Sequence, residues 1–298
     1  QGPNGATFYR ATQLSYTYKG LKDFRFQASI EAPAVDGTTS SQFEIAQQRM
    51  PDFTASAQYS WNSSSHLRIG GIIRSMTYTS TKRDKASSVT GYGVQASTTF
   101  NLGKKWQAFG QVNYGKGIGQ YLNDISNLNV DIVPNPEKEG KMQALPMLGW
   151  YAGLQYNISP KIFLSSTYSM SRLYSEDGYP NDLPSTYRYG QYFVANVFWN
   201  VTPNMQVGAE YLRGWRTNFD NSTNHANRMN LLGFLIYKGR IVKSELIVNT
   251  KTKHFISTAI NILGGFTYLL CIIIIVCPKI GYIHSQMLCH FDGSTKPQ

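Results

Sequence analysis

The sequence predicts an all-β fold, an antiparallel transmembrane β-barrel, on three observations. The first is alternation over Gln191–Tyr211. Phe193, Ala195, Val197, Trp199 and Val201 hold one parity and Asn196 and Asn200 the other; after Thr202-Pro203-Asn204, Met205, Val207, Ala209 and Tyr211 resume the apolar parity against Gln206, Gly208 and Glu210. A period of two is a strand pair with one greasy face. The second is that aromatic residues stand at both ends of that face, as strands crossing a bilayer place them at its two interfaces. The third is composition: 13% of the 298 residues are aromatic, 20 of them Tyr, only 15% are charged, and there are 26 Gly.

The same pattern runs back to the first residues. Leu14, Tyr16 and Tyr18 alternate with polar neighbours; beyond Lys19-Gly20, Phe24, Phe26, Ala28 and Ile30 alternate with Arg25, Gln27, Ser29 and Glu31. Phe53, Ala55, Ala57, Tyr59 and Trp61 turn at Asn62–Ser65 and return as Leu67, Ile69, Gly71 and Ile73. Tyr92–Phe100 turns at Asn101–Lys104 and returns as Trp106–Tyr114, and Trp150–Tyr156 turns at Asn157–Pro160 and returns as Ile162–Met170. The hairpin over Gln191–Tyr211 follows, and a last strand covers Ala226–Lys238. Eleven strands are predicted in all. Short turns fall near residues 20, 63, 102, 159 and 203 and longer polar connections near 33–50, 80–88, 117–145, 174–187 and 217–226, the asymmetry of outer-membrane barrels. Strands one and eleven then run the same way, so an odd number of strands is expected to be absent, most simply before Gln1; Gln1-Gly2-Pro3, without Met or leader, reads as a cut end.

The charge of +11 divides into +7 over residues 1–238 and +4 beyond. Its basic residues are scattered and carry no nucleic-acid motif, so nucleic acid is not an expected partner. On the parity facing away from lipid stand Arg25, Arg68, Arg74, Arg188 and Arg228, against Glu31 and Glu210. Such charges can merely solvate a wet lumen. Alternatively, an excess of guanidinium lowers the barrier for anions, because Arg keeps its charge and grips a carboxylate through two hydrogen bonds. Arg10, Arg172, Arg213 and Arg216 fall at strand ends near the outer mouth, as a collecting rim or simply a charged one. The longest connection, Gly117–Leu145, carries Asp124, Asp131, Glu137 and Glu139. It either folds into the lumen as an eyelet or caps the surface.

Enzyme chemistry finds little support. Gly115-Lys116-Gly117-Ile118-Gly119 lacks the Lys-Ser/Thr ending and the following helix of a phosphate cradle. The five His are isolated, with only His66 and His225 placed where an outer-membrane hydrolase could use one. Cys271, Cys277 and Cys289 have no zinc spacing, and no metal or other cofactor is implied. All three Cys lie in the last 28 residues and the first 270 carry none, as suits a protein of an oxidising envelope compartment.

Two passages carry a resemblance. Gly115-Lys116-Gly117-Ile118-Gly119-Gln120-Tyr121-Leu122-Asn123-Asp124, with Gln143-Ala144-Leu145-Pro146 and Trp150–Tyr156, resembles the DcaP-like porins of Gram-negative outer membranes. So does Val207-Gly208-Ala209-Glu210-Tyr211-Leu212-Arg213-Gly214-Trp215-Arg216-Thr217-Asn218-Phe219-Asp220, with His225-Ala226-Asn227-Arg228 beyond it. The resemblance covers most of residues 1–238. It implies a sixteen-stranded barrel in the outer-membrane lipid, a homotrimer when complete, and passive uptake of small polar or anionic solutes such as dicarboxylates. Sixteen less eleven leaves five strands, an odd number. A barrel acting as a structural or adhesive platform, its lumen closed, is the alternative.

Residues 239–298 depart from this pattern. Phe255–Cys277 is a 23-residue stretch without a charge, long enough to cross a bilayer as a helix, which a barrel bound for the outer membrane should not carry. The expectation is a barrel over 1–238 followed by a foreign or out-of-frame tail.

Overall fold

The computed structural model describes residues 3–249 except 181, 182, 184, 238 and 239, with the backbone alone over 83–85, 236, 237 and 240–249. Its strands are β1 (Gln13–Tyr18), β2 (Phe24–Glu31), β3 (Phe43–Ile45), β4 (Asp52–Asn62), β5 (Ser65–Ser80), β6 (Arg83–Leu102), β7 (Trp106–Lys116), β8 (Ile132–Pro134), β9 (Met142–Ala144), β10 (Pro146–Asn157), β11 (Ile162–Leu173), β12 (Tyr187–Thr202), β13 (Met205–Asn218), β14 (Thr223–Tyr237) and β15 (Arg240–Asn249). A single 3-10 turn, Gly119–Tyr121, interrupts the longest connection.

All eleven predicted strands are present, and each pairs antiparallel with the next in the wall order β1-β2-β4-β5-β6-β7-β10-β11-β12-β13-β14-β15. The alternation sets the register: Phe193 faces Arg213, Ala195 faces Tyr211, Val197 faces Ala209 and Trp199 faces Val207. A slip of one residue would turn every apolar side chain to the wet face, and the tight turn that pairs Thr202 with Met205 excludes slips of two. The outward face is apolar and open, with Ile69 56%, Ile73 62% and Val94 60% exposed, which in water would be costly and in lipid is required. Aromatic residues bound that face at both ends. At the short-turn end Trp106 packs on Tyr156 at 4.5 Å and Phe24 on Tyr59 at 4.9 Å, and at the other Trp150 packs on Tyr168 at 5.8 Å. From Trp106 to Tyr114 the chain rises about 26 Å at about 3.3 Å per residue. A tilt of about 40° reduces that to about 20 Å, close to the apolar band of a barrel wall.

Two expectations change. The connection near 80–88 is not a loop: β5 and β6 run on to Ser80 and Arg83, because Met76, Thr77 and Tyr78 on one side and Val89, Ser88 and Ser87 on the other continue the pairing. The wall also continues past residue 238, with Arg240–Asn249 paired along β14 from Tyr237 opposite Arg240 to Arg228 opposite Asn249. Ile241, Val242, Leu246, Ile247 and Val248 give that stretch strand propensity. With twelve wall strands, β1 and β15 run in opposite directions, and the parity argument for an odd number of absent strands does not hold for the described wall. The predicted helix at 255–277 lies outside the described residues.

The sheet curls around its own connections. Ile118, Leu122, Ile125, Val130 and Val133 of the 117–145 connection form one buried cluster with Leu173 of β11 and Tyr187 of β12, and Ile72 of β5 packs against the same cluster. Strands far apart in the wall order therefore meet one central body. A second cluster joins Phe43 of β3, Met76 and Tyr78 of β5, Ile132 of β8, and Met142 and Ala144 of β9. Ile72 and Met76 have the parity opposite to exposed Ile69 and Ile73, so both clusters lie inside the wall. The connection over Gly117–Leu145 folds into the lumen.

Candidate functional site: the occupied lumen

Arg74 organises the interior. It sits on the inward face of β5, 1% exposed, between two carboxylates: Nε is 3.2 Å from Asp52 Oδ2 on β4 and Nη1 is 3.1 Å from Asp131 Oδ2 in the inserted connection. Nη1 also donates to the Gly117 carbonyl at 2.9 Å and Nη2 donates to the Ala34 carbonyl. The guanidinium lies 5.0 Å from the ring centroid of Tyr121, whose hydroxyl donates to Asp52 Oδ2 at 2.7 Å. Its planar fork lets one side chain hold wall, 32–50 connection and 117–145 connection together. Asp131 in turn accepts from the backbone amides of Asp36 at 3.0 Å and Gln120 at 3.1 Å. Burial pushes its carboxyl up to about 6 against the pull of Arg74. Arg74 is thus a latch with its charge matched, not an open lumen cation, because two acids distant in sequence converge on it.

A second body fills the lumen. Residues 3–9 run along the inward faces of β6, β7, β10 and β11. Gln95 donates to Thr7 Oγ1 at 2.8 Å, Gln111 donates to the same hydroxyl, Asn113 donates to the Gly5 carbonyl at 2.9 Å, and Asn4 donates to Ser171 at 3.4 Å. The segment bonds to the inserted connection through Gly5 N to the Asn123 carbonyl, Asn123 N to the Ala6 carbonyl and Phe8 N to the Tyr121 carbonyl. Contact is close at Gly149, where a Cβ would meet Gly5 O at 2.4 Å, and at Gly5 itself, with φ +69°.

Between these bodies and the wall remain two open volumes. One, of about 240 Å³, is bordered by Gln27, Glu31, Ser56, Arg68 and Tyr9. There Arg68 donates to Ser56 Oγ at 3.0 Å, while Glu31 accepts from the hydroxyls of Ser29 at 2.8 Å and Thr54 at 3.1 Å. The acid is satisfied by hydroxyls, which leaves Arg68 without a bonded carboxylate among the described residues. Arg25, exposed on the inward parity of β2, stands opposite Gln58, which in turn stands opposite Arg68, so the two arginines flank one glutamine across three strands. The other volume, of about 430 Å³, has Asp124, Tyr192, Arg216 and Arg228 around it. Burial raises the Asp124 carboxyl, and a hydrogen bond from the Tyr192 hydroxyl works against that rise.

The nine predicted arginines are therefore not equivalent. Arg25, Arg68 and Arg228 face the lumen, as does Arg216 toward its outer end, with Nε 3.1 Å from Asn218 Oδ1. Arg10 lies over the Phe8 ring at 5.9 Å, beside the inserted segment. Arg188 is set by an irregularity between Tyr187 and Tyr189 and bonds Asn221 Oδ1 at 2.7 Å, at the outer rim instead of in the lumen. Arg172 and Arg213 share the outward parity of Met170 and Tyr211 and so stand on the outside of the wall, not around its mouth. His66 faces inward at one end of β5 and His225 outward on β14, on opposite faces of the wall. Among the described residues no three His, Cys, Asp or Glu stand close enough to hold a metal ion.

The chain is similar in fold to a solved structure. The outer membrane channel DcaP of Acinetobacter baumannii superposes with a TM-score of 0.67 at 20% identity, over 82% of this chain and 65% of that one. The chain has the fold of a DcaP-like outer-membrane porin. It spans less than two thirds of that channel's length. The NanC porin (12% identity, TM-score 0.34, 73% of this chain and 89% of that one) and OccK8 (OprE) of Pseudomonas aeruginosa (11%, 0.44, 78% and 66%) are more distant. No protein-family model and no curated protein matches the chain.

Proposed function

We propose that the chain forms part of a diffusion channel of the Gram-negative outer membrane, passing small hydrophilic solutes with a leaning to anions such as dicarboxylates. The observation that carries the reading is Arg68 on the inward face, bonded to a hydroxyl while the adjacent Glu31 is satisfied elsewhere, with Arg25 beside it across Gln58. A guanidinium with spare donors in a narrow, wet lumen lowers the barrier for a carboxylate and raises it for a cation. Passage needs no chemistry and no cofactor, and the DcaP-like resemblance implies a homotrimer for the complete protein.

A second reading, a closed barrel serving as a structural or adhesive platform, is favoured by the occupation of the lumen by residues 3–9 and 117–145. Swelling of liposomes containing the chain separates the two. A channel admits small sugars and dicarboxylates and swells the vesicles; a platform leaves them at the rate of protein-free liposomes.

A further inference from the structure

We propose that the outward face of β11–β13, at the end carrying the long connections, seats the anionic headgroup of a lipid in the surrounding leaflet. Arg172 and Arg213 stand on that face among aromatic rings, and Arg188 reaches the same rings from the rim, where it donates to Asn221. Arg172 lies 4.7 Å from the ring centroid of Tyr174 and 6.0 Å from that of Tyr189, and Arg188 approaches Tyr189 at 6.0 Å and Phe219 at 6.0 Å, so one tyrosine ring serves two guanidiniums. Arg213, exposed, lies 5.0 Å from the ring of Trp215.

Register fixes the face. Arg172 stands opposite Tyr189, between Ser171 and Leu173, which are buried inside the wall; Arg213 stands opposite Phe193, which is 37% exposed on the lipid side. Aromatic rings on that face mark the interface of the bilayer, so the cations stand at headgroup height. Among the described residues none of the three has a carboxylate partner, and Arg172 Nε is buried without an acceptor. The contrast is Lys116 at the same end, which is bonded to Glu176. Two cations around one ring repel, and an anion between them removes that cost. Arg presents a fork suited to phosphate oxygens, and basic residues at a membrane surface select anionic lipid. The lumen lies on the other side of the wall, so the inference rests on the membrane-spanning fold and not on conduction.

The test is native mass spectrometry of the full chain extracted from vesicles of phosphatidylcholine mixed with phosphatidylglycerol. Wild type should retain phosphatidylglycerol over phosphatidylcholine, and each Arg→Gln change at Arg172, Arg188 or Arg213 should lower retention about fivefold. The lumen variant Arg68→Gln should retain lipid as wild type does. Arg213→Gln, at an exposed position, supplies the reading if Arg172→Gln does not fold. Equal retention of the two lipids by wild type, retention unchanged in Arg213→Gln, or displacement of the lipid by an equal concentration of inorganic phosphate would overturn the proposal. So would a wild-type oligomer that forms through this face without lipid, since a second copy would then be the occupant.

Discussion

Replacing Arg74 with Met removes the charge at the centre of the lumen while keeping much of the side chain's length. Two carboxylates lie 3.2 and 3.1 Å from its nitrogens. At those separations and an effective dielectric constant of about 20, each pair is worth about 5 kcal/mol before desolvation. Desolvation consumes much of this, and buried pairs broken on one side cost about 3–5 kcal/mol, because the remaining charges stay buried without a partner. Arg74→Met leaves two such acids, Asp52 and Asp131, and removes the donors held by the Gly117 and Ala34 carbonyls. We expect a loss of about 3–5 kcal/mol in urea unfolding of the chain in detergent, together with early proteolytic cutting inside 117–145. The triple variant Arg74→Met, Asp52→Asn, Asp131→Asn should recover part of the loss, since neutral amides cost less to bury. A single variant that unfolds at the wild-type urea concentration and resists protease equally would refute the latch.

Further outcomes follow from the same interior. The Asp131 carboxyl, raised by burial to about 6, favours its neutral form in the folded chain. Its contribution to stability is therefore complete below the unfolded value of about 4 and is lost as pH rises through about 6; stability should increase on acidifying from pH 7 to 5, with a flatter profile in Asp131→Asn. Gly149→Ala places a methyl group against the Gly5 backbone and should lift residues 3–9 from the wall, read as loss of the disulfide that Thr7→Cys forms with Gln111→Cys in the unmodified background. Asp177 is held below the usual carboxylate range by hydrogen bonds from Asn135 and Lys138. Asp177→Ala should therefore loosen the tip of the inserted connection, read as faster amide exchange at Lys138, with little change in overall stability because the pair is partly exposed.

The wall was legible because a barrel strand writes its two faces into alternate residues, and every turn from Lys19-Gly20 to Thr202-Pro203-Asn204 interrupts that alternation. The outward placement of Arg172 and Arg213 was present in the same signal, since each continues the parity of Met170 and Tyr211 past the apolar run. The position of Arg188 was not, because the irregularity beside Tyr187 shifts the count by one residue. Parity also tells which face Arg74 occupies but not what meets it there: Asp131 is 57 positions away, and only the path of the inserted connection brings them together. Residues 3–9 carry no alternation long enough to reveal that they lie inside the wall. Their hydrogen bonds come from Gln95, Gln111 and Asn113, which in sequence read only as lumen polarity.

The central claim is that Arg68, inward and without a bonded acid among the described residues, biases the lumen toward anions. Its most direct test is the zero-current potential of the chain in a planar bilayer across a potassium chloride gradient. Chloride should be favoured over potassium, and Arg68→Glu should move the potential toward potassium while Arg74→Met, its charge already matched, moves it less. A channel selective for potassium, or a potential unmoved by Arg68→Glu, would contradict the account.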